Sequence, residues 1–91
     1  METDKIKEVM DILQEECAEV IQAVSKISRF GHAGYKIGET QTNLEHLEEE
    51  LGDMLAMIDI MLELNVISLD NLQVAKIAKI EKLKKWSKIY E

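Results

Sequence analysis

Ninety-one residues with a mass of 10.4 kDa are the size of one small domain (1–91), and 46% hydrophobic with 32% charged residues is too apolar for a disordered chain and too charged for a membrane protein. No apolar run approaches the ~20 residues that a bilayer requires, and Met1–Met10 lacks a signal-peptide pattern, so the expectation is a cytoplasmic protein without a membrane partner. A net charge of −7 argues against a nucleic-acid partner, because phosphate contacts need a basic surface.

From the N-terminus, Ile6, Val9, Met10, Leu13, Cys17, Val20, Ile21, Val24 and Ile27 recur at three- and four-residue spacing, which predicts a helix over about 3–30. Thr3 is its expected N-cap and Gly31 its expected stop. Residues 31–41 form a glycine-rich loop holding three of the four glycines, with His32, Tyr35 and Lys36 able to touch a ligand or simply to line a surface loop. No Gly-Lys-Ser/Thr sequence occurs there, so a P-loop is excluded. Thr42-Asn43-Leu44-Glu45 reads as a capping box opening a second helix over about 42–64, with Leu44, Leu47, Leu51, Met54, Leu55, Ile58, Met61 and Leu62 on one side and Asn65 as its stop. Ser68 caps a third helix over about 69–88, in which Trp86 reads as a packing anchor. The fold class is all-α: an antiparallel helical hairpin plus a third helix, assembling into a helical bundle oligomer. A lone Cys17 allows no internal disulfide, so a chain this small is expected to gain stability as a homo-dimer or homo-tetramer.

Both long helices carry a second, partly apolar stripe: Ile12, Glu16, Glu19 and Ala23 on the first, Glu50, Asp53, Met57, Ile60 and Leu64 on the second. A helix apolar on two faces must bury both. The main faces are expected to form the intrachain core and the second stripes to meet a partner chain. Glu16 with Glu19, and Glu50 with Asp53, are neighbours three residues apart, so two carboxylate pairs can face each other across the hairpin. Glutamate runs are common on solvated faces, but two such pairs on adjacent, partly apolar stripes favour a site. Converging carboxylates either rise in pKa or take up a cation, and an all-oxygen donor set selects Mg²⁺, with Mn²⁺ as a substitute. Gly52, placed inside a helix, suggests close helix packing or close approach of a ligand.

Charge is unevenly spread. Residues 1–63 hold 15 acidic and 5 basic side chains, a balance of −10; residues 64–91 hold 3 and 6, a balance of +3, and all six bases are lysines. On a helical wheel Lys79 shares a sector with Leu72, Leu83 and Trp86, with Lys76 nearby, so it is expected to point inward, toward either a core carboxylate or an anion.

Glu15-Glu16-Cys17-Ala18-Glu19 followed by Glu49-Glu50-Leu51-Gly52-Asp53 resembles the signature of the MazG-like all-α nucleoside triphosphate pyrophosphatases, in particular short stand-alone members, many of them carried by phages. The resemblance implies Mg²⁺-dependent hydrolysis of a nucleoside triphosphate, a deoxynucleotide by family habit, to the monophosphate and pyrophosphate in nucleotide-pool cleansing. It implies metal ligation by Glu16, Glu19, Glu50 and Asp53, with Glu15 in the outer shell or orienting the attacking water, and catalytic work shared among Glu15, Glu16 and Glu19. It also implies phosphate contacts from the basic third helix: Lys79 is the best match, and Lys76, Lys84 and Lys85 are further candidates. Arg29 and Asn71 complete the set of substrate-binding candidates. Many relatives carry Asp where this chain has Asn71 and Asn where it has Leu83, departures that bear on phosphate or sugar contacts. Two other readings stand beside this one: a phosphoribosyl-ATP pyrophosphohydrolase-like enzyme, and a non-catalytic acidic helical adaptor or antitoxin-like protein.

Overall fold

The computed structural model describes residues 2–34, 38 and 40–91. Three helices follow in order, α1 (Glu2–Phe30), α2 (Asn43–Glu63) and α3 (Leu69–Trp86), and no strand occurs among the described residues, in agreement with the all-α expectation.

Local chemistry accounts for most of the helix ends. Gly31 stops α1 with φ 85° and donates its amide to Ile27 O at 2.8 Å, the left-handed position where glycine carries no Cβ penalty. A Cβ on Gly34 would stand 2.6 Å from Phe30 O, so that position tolerates nothing larger. Asn43 ties the loop to α2: its amide donates to Gly34 O at 2.8 Å and its Nδ2 to Gly31 O at 3.1 Å. The capping box forms as expected. Glu45 N donates to Thr42 Oγ1 at 3.1 Å, and Glu45 Oε1 accepts from Thr42 N at 3.0 Å. At the other end of α2, Asn65 adopts φ 56°, its amide reaching Leu62 O and that of Val66 reaching Met61 O, which is a Schellman closure. Ser68 Oγ accepts from Asn71 N and caps α3.

One cap differs. α1 already runs from Glu2, so Thr3 lies inside its first turn and does not cap it. Asp4, in the first turn, suits the positive end of the helix dipole, which favours helix formation there without a hydroxyl cap.

The core of the α1–α2 hairpin draws on both stripes, where the expectation assigned it to the main faces alone. From the main faces come Val9 and Met61, with Leu13 packed against them; from the carboxylate-bearing stripes come Met57 and, around it, Ile12, Ile60 and Leu64, while Ala23 is completely buried. Members of the broader faces remain open: Met10, Val24 and Leu55 are 45%, 51% and 55% exposed. Small Ala23 lets α2 approach closely, whereas the broad faces need a second layer to cover them. Among the described residues there is none, with extents of 44 × 38 × 14 Å. The longest extent is close to the ~43 Å of a 29-residue helix, and the shortest barely exceeds the ~10–12 Å thickness of one helix, so the three helices lie in a single layer.

α3 departs from this hairpin. Val66 and Ile67, in the turn before it, pack on the core, but α3 has no buried residue of its own. Two expectations are corrected here. Lys79 is exposed and does not point inward, and Trp86, at 79% exposure, anchors nothing within the chain. Both follow from α3 standing off the hairpin, which leaves its apolar sector facing solvent.

Candidate metal centre

The hairpin seam assembles the site. Glu50 and Asp53 project from adjacent turns of α2, and the antiparallel packing brings Glu16 of α1 opposite them. One oxygen from each of Glu16, Glu50 and Asp53 lies within 4.8 Å of the other two. Exposure grades across the three: Glu50 is buried, Glu16 half-buried and Asp53 open to solvent. The site is therefore rooted in the seam and accessible from outside.

Its electrostatics are strained. Partial burial pushes the Glu16 carboxyl above its ordinary 4.5, reinforced in decreasing order by the charges of Asp53, Glu50, Glu19 and Glu15. This is the response expected of like charges gathered without compensation. Three hard oxygen donors suit a divalent cation of the Mg²⁺ or Mn²⁺ type. Oxygens around Mg²⁺ stand about 3 Å apart when adjacent and about 4.2 Å when opposed, so side-chain rotations that draw the three oxygens inward by about an ångström would close the set around an ion. The residues present fit such a group.

The other expected site residues fall at varying distances. Glu19 and Glu15 are exposed beside Glu16 and lie outside the three-oxygen set, contributing charge to it. Arg29 is exposed over the Phe30 ring, 5.1 Å from its centroid, about 20 Å along α1 from Glu16. Asn71 lies in the first turn of α3, on a concavity beside the α2–α3 turn with Leu62, Val66 and Leu72. Lys76 and Lys79 are exposed on α3. His32 is exposed in the loop, while Tyr35 and Lys36 lie outside the described residues. Gly52 is exposed, and a Cβ there would meet nothing within 4 Å, so no close packing within the chain explains it.

His46 was not singled out by sequence reasoning. Its Nε2 stands 3.2 Å from Glu50 Oε1, one turn away on the same helix. The signal was the four-residue spacing, which places both side chains on one face.

An all-α hairpin with a carboxylate cluster across its seam suits a protein that could hold a divalent cation. The family model of the MazG nucleotide pyrophosphohydrolase domain matches residues 4–87, and the chain belongs to that family. No curated protein and no solved structure matches it. The family is divalent-metal dependent, in keeping with the carboxylate cluster. Among the described residues, no helix is long and apolar enough to cross a membrane.

Proposed function

We propose that this chain hydrolyses a nucleoside triphosphate, a deoxynucleotide by preference, between the α- and β-phosphates in a Mg²⁺-dependent reaction that serves nucleotide-pool cleansing. The observation that carries the reading is the convergence of Glu16, Glu50 and Asp53 in the hairpin seam of a MazG domain.

A triphosphate brings about four negative charges, and an acidic seam accepts it only through divalent cations. Such ions, when bound, neutralise the phosphate oxygens and stabilise charge developing at phosphorus. Glu16, Glu50 and Asp53 are the ligands in this proposal, with Glu19 joining them from the exposed side. Water attacks the α-phosphorus, the bond to the bridging oxygen breaks, and pyrophosphate leaves. Glu15 and Glu19, exposed next to Glu16, orient that water and take its proton. Lys76 and Lys79 neutralise the distal phosphates. Because α3 stands off its own hairpin, they reach a seam most directly in an oligomer, where the open faces through Met10, Val24 and Leu55 are covered by further copies.

Phosphorus-31 NMR of the purified protein with each common NTP and dNTP, first with Mg²⁺ and then with EDTA, tests this. Mg²⁺-dependent appearance of pyrophosphate and a monophosphate is the expected outcome. Release of inorganic phosphate would overturn the assigned bond. Absence of turnover with every nucleotide would move the assignment to a phosphoribosyl-ATP-type substrate or to a non-catalytic adaptor.

A further inference from the structure

One close contact at the carboxylate centre has no role in the hydrolytic scheme. His46 Nε2 lies 3.2 Å from Glu50 Oε1, with side-chain exposures of 26% and 11%, so the pair is largely withdrawn from water. Among the described residues, His46 is the only basic side chain within 4 Å of a carboxylate of the cluster; Lys7 pairs with Asp11 and Lys84 with Glu81, away from the seam.

The chemistry of Glu50 gives this contact its meaning. Glu50 is the most deeply buried of the three carboxylates, and the negative charges of Glu16 and Asp53 press on the same space. Without a tether, a flexible glutamate side chain so placed turns toward water and away from its like-charged neighbours. Ligating carboxylates are commonly held by polar partners of their own, and removing such a partner typically costs about 10–100-fold in metal affinity. The imidazole lies against Oε1 of Glu50, whose carboxylate also contributes an oxygen to the three-residue cluster. The α-helical spacing of His46 and Glu50 keeps that geometry independent of the loops.

We propose that His46 is a positioning residue: it holds Oε1 of Glu50 so that the carboxylate stays turned toward Glu16 and Asp53, ready for a divalent cation. The inference rests on those three residues being metal ligands; it does not depend on which bond the protein cleaves.

The test uses the full chain in two measurements. Mn²⁺ binding without nucleotide is followed by the loss of the free Mn²⁺ electron paramagnetic resonance signal, and Mg²⁺ titrations of hydrolysis run beside it. His46→Leu keeps the apolar bulk and removes the donor; His46→Gln restores a donor; His46→Ala repeats the loss if the leucine variant does not fold. His46→Leu is expected to weaken Mn²⁺ binding about 10-fold and to raise the half-saturating Mg²⁺ concentration by the same factor. KM for nucleotide at saturating Mg²⁺ and the metal-free melting curve should hold, and His46→Gln should recover most of the affinity. Wild-type Mn²⁺ affinity in the leucine and alanine variants overturns the proposal, as does a loss that glutamine does not rescue. The two readings separate cleanly. If the wild type binds Mn²⁺ and His46→Leu weakens it, yet no nucleotide turns over, the positioning role stands and the hydrolase reading falls. Turnover with unchanged metal affinity in the variants gives the reverse.

Discussion

Glu16 on α1 and Asp53 on α2 bring carboxylate oxygens to within 4.8 Å of each other across the hairpin, with buried Glu50 completing the set. Such an approach of like charges costs stability in the absence of a counter-ion; the Glu16 carboxyl is raised first by its burial and then by the charges of Asp53 and Glu50. A fold that keeps the arrangement sacrifices stability for a binding site, as functional sites commonly do.

Replacing Glu50 with Gln separates the two effects. The substitution keeps size and hydrogen-bonding capacity next to His46 while removing a buried charge. Turnover should fall by more than about 100-fold, beyond the range typical of outer-shell partners. The metal-free protein should become more stable by about 0.5–2 kcal/mol, read as a rise in melting temperature of about 4–8 °C per kcal/mol. Loss of the Mg²⁺-induced increase in melting temperature would accompany both.

Stability should depend on pH through two carboxylates acting in opposite directions. Glu16 is raised above 4.5 in the fold, so its contribution is fully present below 4.5 and is lost as pH rises through the raised value. Glu45 is lowered, first by the Thr42 backbone amide and then by its side chain, so its contribution is present above 4.5 and is lost as pH falls through the lowered value. In metal-free melts, Glu16→Gln should flatten the limb above about pH 4.5 and Glu45→Gln the limb below it. Mn²⁺ binding should weaken on acidification, since protons compete for Glu16.

Thr42→Ala removes the hydroxyl that accepts from Glu45 N at 3.1 Å. The expected cost is about 1 kcal/mol in chemical denaturation, with the catalytic constants unchanged per folded molecule.

Ala23→Leu tests the burial of the carboxylate-bearing stripe in the hairpin. Ala23 is completely buried and Val24, its neighbour, is 51% exposed. Overpacking at Ala23 should cost about 1–3 kcal/mol and disturb Mn²⁺ binding, whereas Val24→Leu should leave folding and metal binding close to wild type. Equal effects at the two positions would contradict the observed packing.

The open apolar faces predict self-association. Analytical ultracentrifugation should find a species larger than 10.4 kDa, and Val24→Glu combined with Leu55→Glu should shift it toward the monomer mass. Persistence of the larger species in the double variant would mean that other surfaces hold the copies together.

Much of this was legible in sequence because it depends on interactions between near neighbours. The Thr42–Glu45 capping box, the Asn65 closure of α2, the Ser68 cap and the Gly31 stop are each set within a few residues, where side-chain chemistry and backbone conformation decide the outcome. Helical spacing likewise put Glu50 beside Asp53 without knowledge of the fold. Three results required the tertiary structure. How two apolar stripes share the hairpin core depends on how near the helices can approach: Ala23 and Met57 of the carboxylate stripes are buried together with Val9 and Met61 of the broad faces. The direction of Lys79 and Trp86 depends on where α3 goes after Ile67, which wheel geometry within α3 does not contain. The gathering of Glu16 with Glu50 and Asp53, with Glu19 left outside, depends on the axial register of two antiparallel helices. Local hydrogen bonds and periodicity act over a turn or two of chain, whereas register, seam and the course of α3 are settled by packing between segments distant in sequence.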